Sequence, residues 1–175
     1  MDLGRALSLI RPIPDYPKPG ILFQDITPLL ADPVAFNRVI SEIASLDADS
    51  EIAVGIEARG FIFASAVALH RQIGFVPVRK KGKLPSVTYS RSYGLEYGSD
   101  EIEIHRDALA PGCKVTLIDD VLATGGTLEA AVALITDAGG VVSSIVVLLE
   151  IASLEGRNRI EKVAPGVALH ALVTI

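Results

Sequence analysis

Short, almost continuously apolar runs alternate with longer mixed segments in two parts of the chain, residues 51–80 and 113–175. Such runs are typical of strands buried on both faces, and the longer segments have the length of helices. The pattern predicts, in chain order, strand Ile52–Ile56, helix Phe61–Ile73, strand Phe75–Arg79, strand Val115–Asp119, helix Gly126–Ala138, strand Ser144–Glu150 and strand Ala168–Val173. Strands that alternate with helices indicate an α/β fold, in which helices flank a central, mostly parallel sheet.

Residues 1–50 have a different character. A short helix is predicted over about residues 2–10, and the prolines of the next segment, Arg11–Gly20, exclude a helix or a central strand there. Asp32 is the expected N-cap of a second helix that starts at Pro33, because a carboxylate cap followed by proline signals a helix start. The apolar positions of that helix recur with helical spacing at Phe36, Val39, Ile40 and Ile43.

Residues 80–105 interrupt the alternation of strands and helices. The run from Lys80 to Pro85 is basic, and the residues after it are rich in Ser, Tyr and Gly. Glu101–His105 alternates polar and apolar positions, which predicts an antiparallel arm with one wet face. An insertion of this length usually has a function, and we expect a lid over a ligand site.

Composition places the chain among globular proteins. A length of 175 residues suits one domain, and 50% hydrophobic with 21% charged residues excludes a disordered chain. The mean hydropathy of +0.44 is high. The longest apolar stretches, Phe61–Leu69 and Ile145–Leu149, nevertheless fall far short of the about 20 residues that cross a bilayer. Asp2 and Arg5 interrupt the N-terminus, so we expect neither a membrane protein nor a secretory signal.

Charge and cysteine content narrow the function classes further. The net charge of −5 argues against nucleic acid as a partner, because phosphate contacts need clustered Lys and Arg side chains. The single cysteine, Cys113, excludes an internal disulfide and favours a reducing, cytoplasmic location. We expect Cys113 to be a packed, inert thiol. His70, His105 and His170 lack metal-ligand spacing and are interpreted as structural.

The segment from Val115 to Thr127 carries the most informative chemistry. An apolar strand ends in Asp119 and Asp120, and the turn Ala123–Thr127 then opens a helix. Glycines let backbone N–H groups converge, the helix N-terminus adds positive potential and the threonines offer hydroxyls, so this turn is a candidate phosphate cradle. Neither Gly-x-x-x-x-Gly-Lys-Ser/Thr nor Gly-x-Gly-x-x-Gly occurs in the chain.

The two carboxylates beside this anion site need a reason, because they would repel a phosphate that touched them. A phosphate joined to a ribose resolves the conflict, since the ribose hydroxyls need hydrogen-bond acceptors. The carboxylates would also stabilise positive charge that develops on the sugar. The motif therefore predicts a 5-phosphorylated sugar as ligand.

The acidic pair followed by Ala-Thr-Gly-Gly-Thr resembles the phosphoribosyl-diphosphate signature of the type I phosphoribosyltransferases. Four further segments make the chain similar to the adenine-specific family over nearly its full length: Pro17–Pro28, Ala58–Phe61, Arg79–Pro85 and Leu95–Gly98. The resemblance implies the type I phosphoribosyltransferase fold in a single domain over residues 1–175. Residues 1–50 would form an N-terminal hood that binds the base, and residues 80–105 a flexible antiparallel lid.

The resemblance also implies the reaction. The family transfers 5-phosphoribosyl from its diphosphate donor, PRPP, to adenine, which gives AMP and diphosphate in purine salvage through an oxocarbenium-like transition state. Mg²⁺ takes part and would be bound mainly through the substrate, so no protein ligands are assigned to it. A homodimer is implied, because part of the basic run reaches a neighbouring subunit's site in the family.

Roles for single residues follow from the resemblance. The 5-phosphate would be held by Ala123, Thr124, Gly125, Gly126 and Thr127. The diphosphate would be bound by Glu57, Ala58, Arg59, Arg79, Lys80 and Lys83. A cis peptide is expected between Glu57 and Ala58. The catalytic set would be Glu96, Tyr97, Asp119 and Asp120, with the two aspartates facing the ribose hydroxyls.

The lid and the hood would complete the site. Glu96 would contact the imidazole side of the purine and assist proton loss from N9, and Tyr89 and Tyr93 would join Tyr97 in covering the donor. Adenine would be bound by Leu22, Phe23 and Gln24. The Phe23 ring would stack on the purine, while backbone groups of the other two would read the Watson–Crick edge and reject a 6-oxopurine. Some relatives carry Arg at the position of Gln24.

Other functions stay open from the residues alone. The same chemistry on another purine such as xanthine would use the same donor site, and the segment from Pro19 to Asp25 favours adenine. A regulator that senses PRPP or a nucleotide would need an added DNA-binding module or a basic surface, and this chain is acidic. A phosphoacceptor receiver domain also carries acidic residues at strand ends, but it would not need the double glycine or the long lid.

Overall fold

The structure is a computed structural model and describes residues 1–94 and 99–175. Residues 95–98, which include the predicted catalytic residues Glu96 and Tyr97, lie outside the described residues. The chain divides into two compact units, Met1–Ser45 and Leu46–Ile175. Within the described ranges, no helix has the length and apolar character that a membrane span requires.

The first unit combines short helices with a small ribbon: α1 (Leu3–Leu7), β1 (Arg11–Ile13), β2 (Phe23–Asp25), α2 (Thr27–Ala31) and α3 (Pro33–Ser45). The two strands pair antiparallel. The helix predicted over residues 2–10 is shorter than expected, because Ser8 ends it. Pro12 is compatible with β1, since each strand of a two-stranded ribbon has one unpaired edge.

The predicted start of α3 is confirmed. Asp32 Oδ1 accepts the N–H groups of Val34 and Ala35 at 2.9 Å each, and Pro33 is the first helical residue. The buried face consists of Ala35, Val39, Ile40 and Ile43. Phe36, predicted among the apolar face, is only half-buried.

The second unit is built on a sheet: β3 (Ile52–Ile56), α4 (Arg59–Arg71), β4 (Gly74–Lys80), β5 (Thr88–Gly94), β6 (Ser99–His105), β7 (Lys114–Leu122), α5 (Gly126–Asp137), β8 (Val141–Glu150), a 3₁₀ turn (Ala152–Leu154), α6 (Gly156–Val163) and β9 (Ala168–Thr174). The described strands form a seven-stranded sheet in the order β5-β6-β4-β3-β7-β8-β9. β4, β3, β7, β8 and β9 run parallel, and β5 and β6 pair antiparallel. The α/β fold with a mostly parallel central sheet is confirmed.

Several boundaries differ from the sequence prediction, and one helix of this unit was missed. α4 begins at Arg59, two residues before the predicted Phe61, because the turn after β3 is tighter than expected. β7 continues to Leu122, so Asp120 lies within the strand and not beyond its predicted end at Asp119. α6 was not predicted, since it is only eight residues long and mostly polar, and only Gly156 and Ile160 are buried on it.

The antiparallel arm predicted for Glu101–His105 is confirmed as part of a hairpin. β6 pairs along its length with β5, from Thr88↔His105 to Gly94↔Ser99. It also joins the edge of the parallel sheet through the pairs Arg79↔Glu103 and Lys80↔Ile102. The basic run at the end of β4 therefore shares backbone hydrogen bonds with the arm.

Two glycines let α4 lie close to the sheet. A Cβ added at Gly55 on β3 would lie 2.7 Å from Ala64 Cβ, and one added at Gly60 on α4 would lie 2.9 Å from the Ile118 carbonyl oxygen of β7. Real Cβ atoms do not approach so closely, so the helix needs both positions free of side chains. This packing brings the start of α4 beside the end of β7.

We predict that Gly55→Ala destabilises the protein by about 1–3 kcal/mol, because the added methyl overpacks the contact with Ala64. Gly74→Ala is the matched control on the neighbouring strand β4, where the new Cβ would meet Ile52 Cγ1 at an ordinary 3.5 Å. Thermal unfolding of both variants checks the prediction. Equal melting temperatures would contradict the close packing of α4 on β3.

Candidate functional site

From the neighbouring strands β3 and β7, the chain continues toward opposite edges of the sheet. β3 connects through α4 to β4 on one side, while β7 connects through α5 to β8 on the other. Because both crossovers of a parallel sheet are right-handed, the two helices cover opposite faces. Such a reversal leaves a crevice at the carboxyl ends of the strands, where ligands of open α/β sheets bind. The predicted polar motifs follow β3 and lie at the end of β7.

An ion pair joins the two sides of this crevice. Arg59, the first residue of α4, places its Nη2 2.8 Å from Asp120 Oδ2 on β7. The peptide between Glu57 and Ala58 is cis, as predicted. α4 has no side-chain cap at its N-terminus. Positive potential from Arg59 and from the helix start therefore lies at the end of β3.

Asp119 and Asp120 are buried, at 9% and 6% exposure. Asp119 Oδ1 accepts the backbone N–H of Asp120 at 2.9 Å. Burial raises the pKa of the Asp119 carboxyl well above its usual value, and the neighbouring Asp120 carboxylate raises it further. Burial also raises the pKa of Asp120, although Arg59 acts in the opposite direction. Two adjacent carboxyls buried in this way favour a ligand that brings hydrogen-bond donors or positive charge.

The turn Ala123–Thr127 has the geometry of an anion cradle. Gly125 lies in the left-handed region at φ +81°, which a side chain would strain, and it is the N-cap of α5 without a capping side chain. The N–H groups of the first helical turn thus have no side-chain acceptor at the cap. A cavity of about 60 Å³ is lined by Val121, Leu122, Ala123, Thr124, Gly125, Thr127 and Leu128. The structure brings together the residues predicted to hold a phosphate.

The basic run after β4 is organised by carboxylates. Glu57 Oε1 lies 3.1 Å from Arg79 Nη2, and Glu57 Oε2 accepts the backbone N–H of Lys80 at 2.9 Å. Arg79 also donates to the Lys83 carbonyl at 3.1 Å. Burial opposes the ionised form of Glu57, but the hydrogen bonds from Arg79 and Lys80 lower its pKa below the usual value. Glu57 therefore orients the cations of the run, a role that the sequence did not indicate.

Lys80 and Lys83 differ in their surroundings. Lys80 Nζ is paired with Asp100 Oδ2 on β6 at 2.9 Å. Lys83 is exposed, and its ammonium has no ion-pair partner among residues 1–94 and 99–175. A polyanion that binds here would meet Lys83 directly and would have to compete with Asp100 for Lys80.

Tyr93 connects the phosphate cradle to the basic run. Its hydroxyl donates to Asp100 Oδ2 at 3.2 Å, and the nearby Thr127 side chain acts to lower the pKa of the phenol. Burial and the Asp100 charge raise the pKa of Tyr93, so the phenol keeps its proton. Tyr93 and Asp100 face each other in the β5–β6 ladder. Predicting this contact would have required the register of the β5–β6 hairpin, which the sequence did not specify.

The remaining predicted residues lie on the arm, in the first unit and just before β7. Tyr89 packs against the core and lies under the Arg106 guanidinium, 4.8 Å from its centre. In the first unit, Leu22 is exposed, and Phe23 meets the Tyr16 ring edge-on at 5.2 Å. Gln24 follows in β2. Cys113 is buried, and burial raises the pKa of its thiol, which fits a packed side chain.

Comparison with known proteins identifies relatives of this chain. The Phosphoribosyl transferase domain family matches residues 31–167. A Streptomyces galbus protein named adenine phosphoribosyltransferase is 51% identical over 170 residues, which cover 96% of this chain and 93% of the relative. The crystal structure of adenine phosphoribosyltransferase from Thermoanaerobacter pseudethanolicus has a TM-score of 0.92 at 44% identity and covers 99% of this chain and 100% of its own. The Giardia lamblia APRTase complexed with 9-deazaadenine has a TM-score of 0.93 at 38% identity, with 100% and 98% coverage.

We predict that Asp119→Asn stabilises the protein at neutral pH. A carboxyl whose pKa is raised by folding contributes stability below its unfolded pKa of 3.8, and this contribution is lost as the pH rises through the native pKa. The asparagine amide does not ionise, so the variant does not lose this stability at high pH, and its oxygen can still accept the Asp120 N–H. The gain in melting temperature should therefore be larger at pH 8 than at pH 5.

Asp107→Asn is the matched control, because Asp107 is exposed in the turn after β6. Melting curves of both variants and the wild type between pH 5 and pH 8 measure the difference. A gain of about 1 kcal/mol corresponds to about 2–4 °C in a domain of this size. A lower melting temperature for Asp119→Asn than for the wild type at pH 8 would contradict the claim that the ionised Asp119 carboxylate destabilises the native state.

Proposed function

The chain belongs to the adenine phosphoribosyltransferase family, and on that premise we propose that it transfers 5-phosphoribosyl from PRPP to adenine. The products are AMP and diphosphate, and the reaction is one of purine salvage. One observation carries the proposal most directly: the uncapped start of α5 lies at the end of the strand that holds the buried Asp119–Asp120 pair. That combination suits a ligand with a phosphate at one end and ribose hydroxyls next to it.

The donor would lie across the crevice between β3 and β7. Residues 123–127 bind its 5-phosphate through backbone N–H groups and threonine hydroxyls. The ribose hydroxyls donate to Asp119 and Asp120, which favours the ionised carboxylates and lowers their raised pKa values. Arg59 leaves Asp120 and pairs with the diphosphate. Donor binding thus replaces one ion pair with several charge-assisted hydrogen bonds.

The reaction exchanges one bond at the anomeric carbon for another. The bond between C1 and the diphosphate oxygen breaks, a bond between C1 and adenine N9 forms, and N9 loses its proton. Positive charge develops on the ribose ring, and the buried carboxylates of Asp119 and Asp120 stabilise it in a region of low dielectric. The Glu96 carboxylate accepts the N9 proton as a general base, and Tyr97 covers the donor.

The leaving diphosphate needs cationic support, which Arg59, Arg79, Lys80 and Lys83 supply. Lys83 is exposed and accessible to it, while Lys80 exchanges Asp100 for a phosphate oxygen. Ala58 is the N-cap residue of α4, so it contributes the backbone at the positive end of that helix to the diphosphate site. Glu57 acts on the diphosphate indirectly, because its hydrogen bonds to Arg79 and to the Lys80 backbone hold the run in place.

Mg²⁺ would accompany the donor. In the part of the chain that the structure describes, no three His, Cys, Asp or Glu side chains converge as a metal site. The ion prefers oxygen ligands and commonly binds through one or two carboxylates together with substrate phosphates. The chemistry of the Asp119–Asp120 pair fits that pattern. When bound, Mg²⁺ neutralises charge on the diphosphate.

Adenine selectivity is assigned to the N-terminal segment. The Phe23 ring stacks on the purine, and backbone groups of Leu22 and Gln24 pair with the amino donor and neighbouring acceptor of adenine. A 6-oxopurine presents the reverse pattern and would leave buried groups unpaired. The Gln24 side chain then matters little to base affinity. We further propose a cytoplasmic homodimer, in keeping with the family resemblance and the single cysteine.

We predict that the purified protein with PRPP and Mg²⁺ forms nucleotide from adenine. We expect kcat/KM for hypoxanthine, guanine and xanthine to be lower by at least about 10²-fold. Asp119→Asn is the inactive control, because it should stay folded and lose about 10²–10³-fold in turnover with adenine. Nucleotide formation followed by chromatography checks both expectations.

Each other outcome has a distinct meaning. Faster turnover of a 6-oxopurine would refute the roles of Leu22, Phe23 and Gln24 and keep the donor site. PRPP binding without turnover of any base would indicate a regulator that senses the donor. Absence of PRPP binding would refute the proposed function altogether.

A further inference from the structure

α6 begins in direct contact with the phosphate cradle. A Cβ added at Gly156 would lie 2.2 Å from the Ala123 carbonyl oxygen and 3.0 Å from the Gly125 amide nitrogen. No side chain fits at that distance, so the helix starts with its backbone against the turn. This contact fixes where the next residues of α6 lie relative to the cradle.

Arg159 lies nearly one turn further along α6, on the side that faces α5. Its Cβ would be 3.4 Å from a Cβ added at Gly125, and its Nη1 would be 3.4 Å from one added at Gly126. The guanidinium therefore rests beside the first residue of α5. These contacts place a permanent positive charge next to the turn that binds the phosphate.

Arg159 is paired with a carboxylate of the same helix start. Its Nε donates to Glu129, which lies in the first turn of α5. Glu129 suits the helix dipole in the absence of ligand, but its charge would oppose a phosphate dianion at the cradle. Arg159 cancels that charge and leaves its remaining N–H groups beside Gly126.

The other arginine on this side of α5 is held elsewhere. A cavity of about 300 Å³ between β5, α5 and α6 is lined in part by Arg91, Tyr93 and Arg159. Arg91 Nη2 is paired with Asp137 Oδ2 at 2.6 Å, at the far end of α5. Of these two arginines, Arg159 is the one whose charge acts at the start of the helix.

We propose that Arg159 is a positioning residue of the 5-phosphate site. It offsets the Glu129 charge and raises the positive potential of residues 123–127, without touching the reacting atoms. The ligand class is a phosphate monoester dianion, as carried by both PRPP and AMP. This inference rests on the proposed function, and none of the sequence motifs points to Arg159.

The test is calorimetric binding of AMP and of pyrophosphate to the full chain. We expect Arg159→Gln to weaken AMP binding about 5–10-fold, as for loss of one partly screened charge near a dianion. Pyrophosphate binding should change less than about twofold, because that ligand binds at the other side of the crevice. Arg159→Lys should keep most of the affinity for AMP.

Two further variants separate the charge from the fold. Lys162→Gln removes one positive charge from an exposed position on the same helix and should leave AMP binding unchanged. Glu129→Gln combined with Arg159→Gln restores the net charge at the start of α5, so it should recover most of the lost affinity. Recovery in the double variant is not expected from damaged packing.

Three results would overturn the inference. They are unchanged AMP affinity in Arg159→Gln, an equal loss for AMP and pyrophosphate, and no recovery in the double variant. Failure of the wild type to bind either ligand would instead refute the proposed function. The two failures are therefore distinguishable from the same data.

Discussion

The ion pair between Arg59 and Asp120 spans the crevice on which the site depends, and it exists because α4 packs unusually close to the sheet. Gly55 and Gly60 allow that approach, which puts the first residue of α4 within 2.8 Å of a carboxylate at the end of β7. The reversal of strand order between β3 and β7 supplies the opening. If α4 lay further from β7, the Arg59 guanidinium would be too far from the buried carboxylates to pair with them.

Three of the cations around the crevice, Arg59, Arg79 and Lys80, are paired with carboxylates of the protein itself. Arg79 is held by Glu57, and Lys80 by Asp100 on the neighbouring arm. These pairs keep the charged groups ordered before a ligand arrives and limit their mutual repulsion. A polyanionic donor would exchange these partners for its own oxygens. Tyr93, whose hydroxyl donates to Asp100, lies between the partner of Lys80 and the phosphate cradle.

The sequence predicted the buried parts of this structure better than its polar contacts. Apolar runs and the Asp32–Pro33 signal specify elements locally, and the acidic pair with the double glycine predicts a phosphate cradle at the start of α5. Glu57 and Arg79 are 22 residues apart, and only the pairing of β3 with β4 joins them. α6 escaped prediction because a mostly polar helix of eight residues is shorter than the window over which apolar periodicity can be recognised.

The most direct test of this account is a crystal structure of the protein with PRPP, Mg²⁺ and a non-reactive adenine analogue. We expect the 5-phosphate to lie on residues 123–127, the ribose hydroxyls on Asp119 and Asp120, and Arg59 to have moved from Asp120 onto the diphosphate. A complex in which the Arg59–Asp120 pair stays intact, with the diphosphate bound elsewhere, would contradict it.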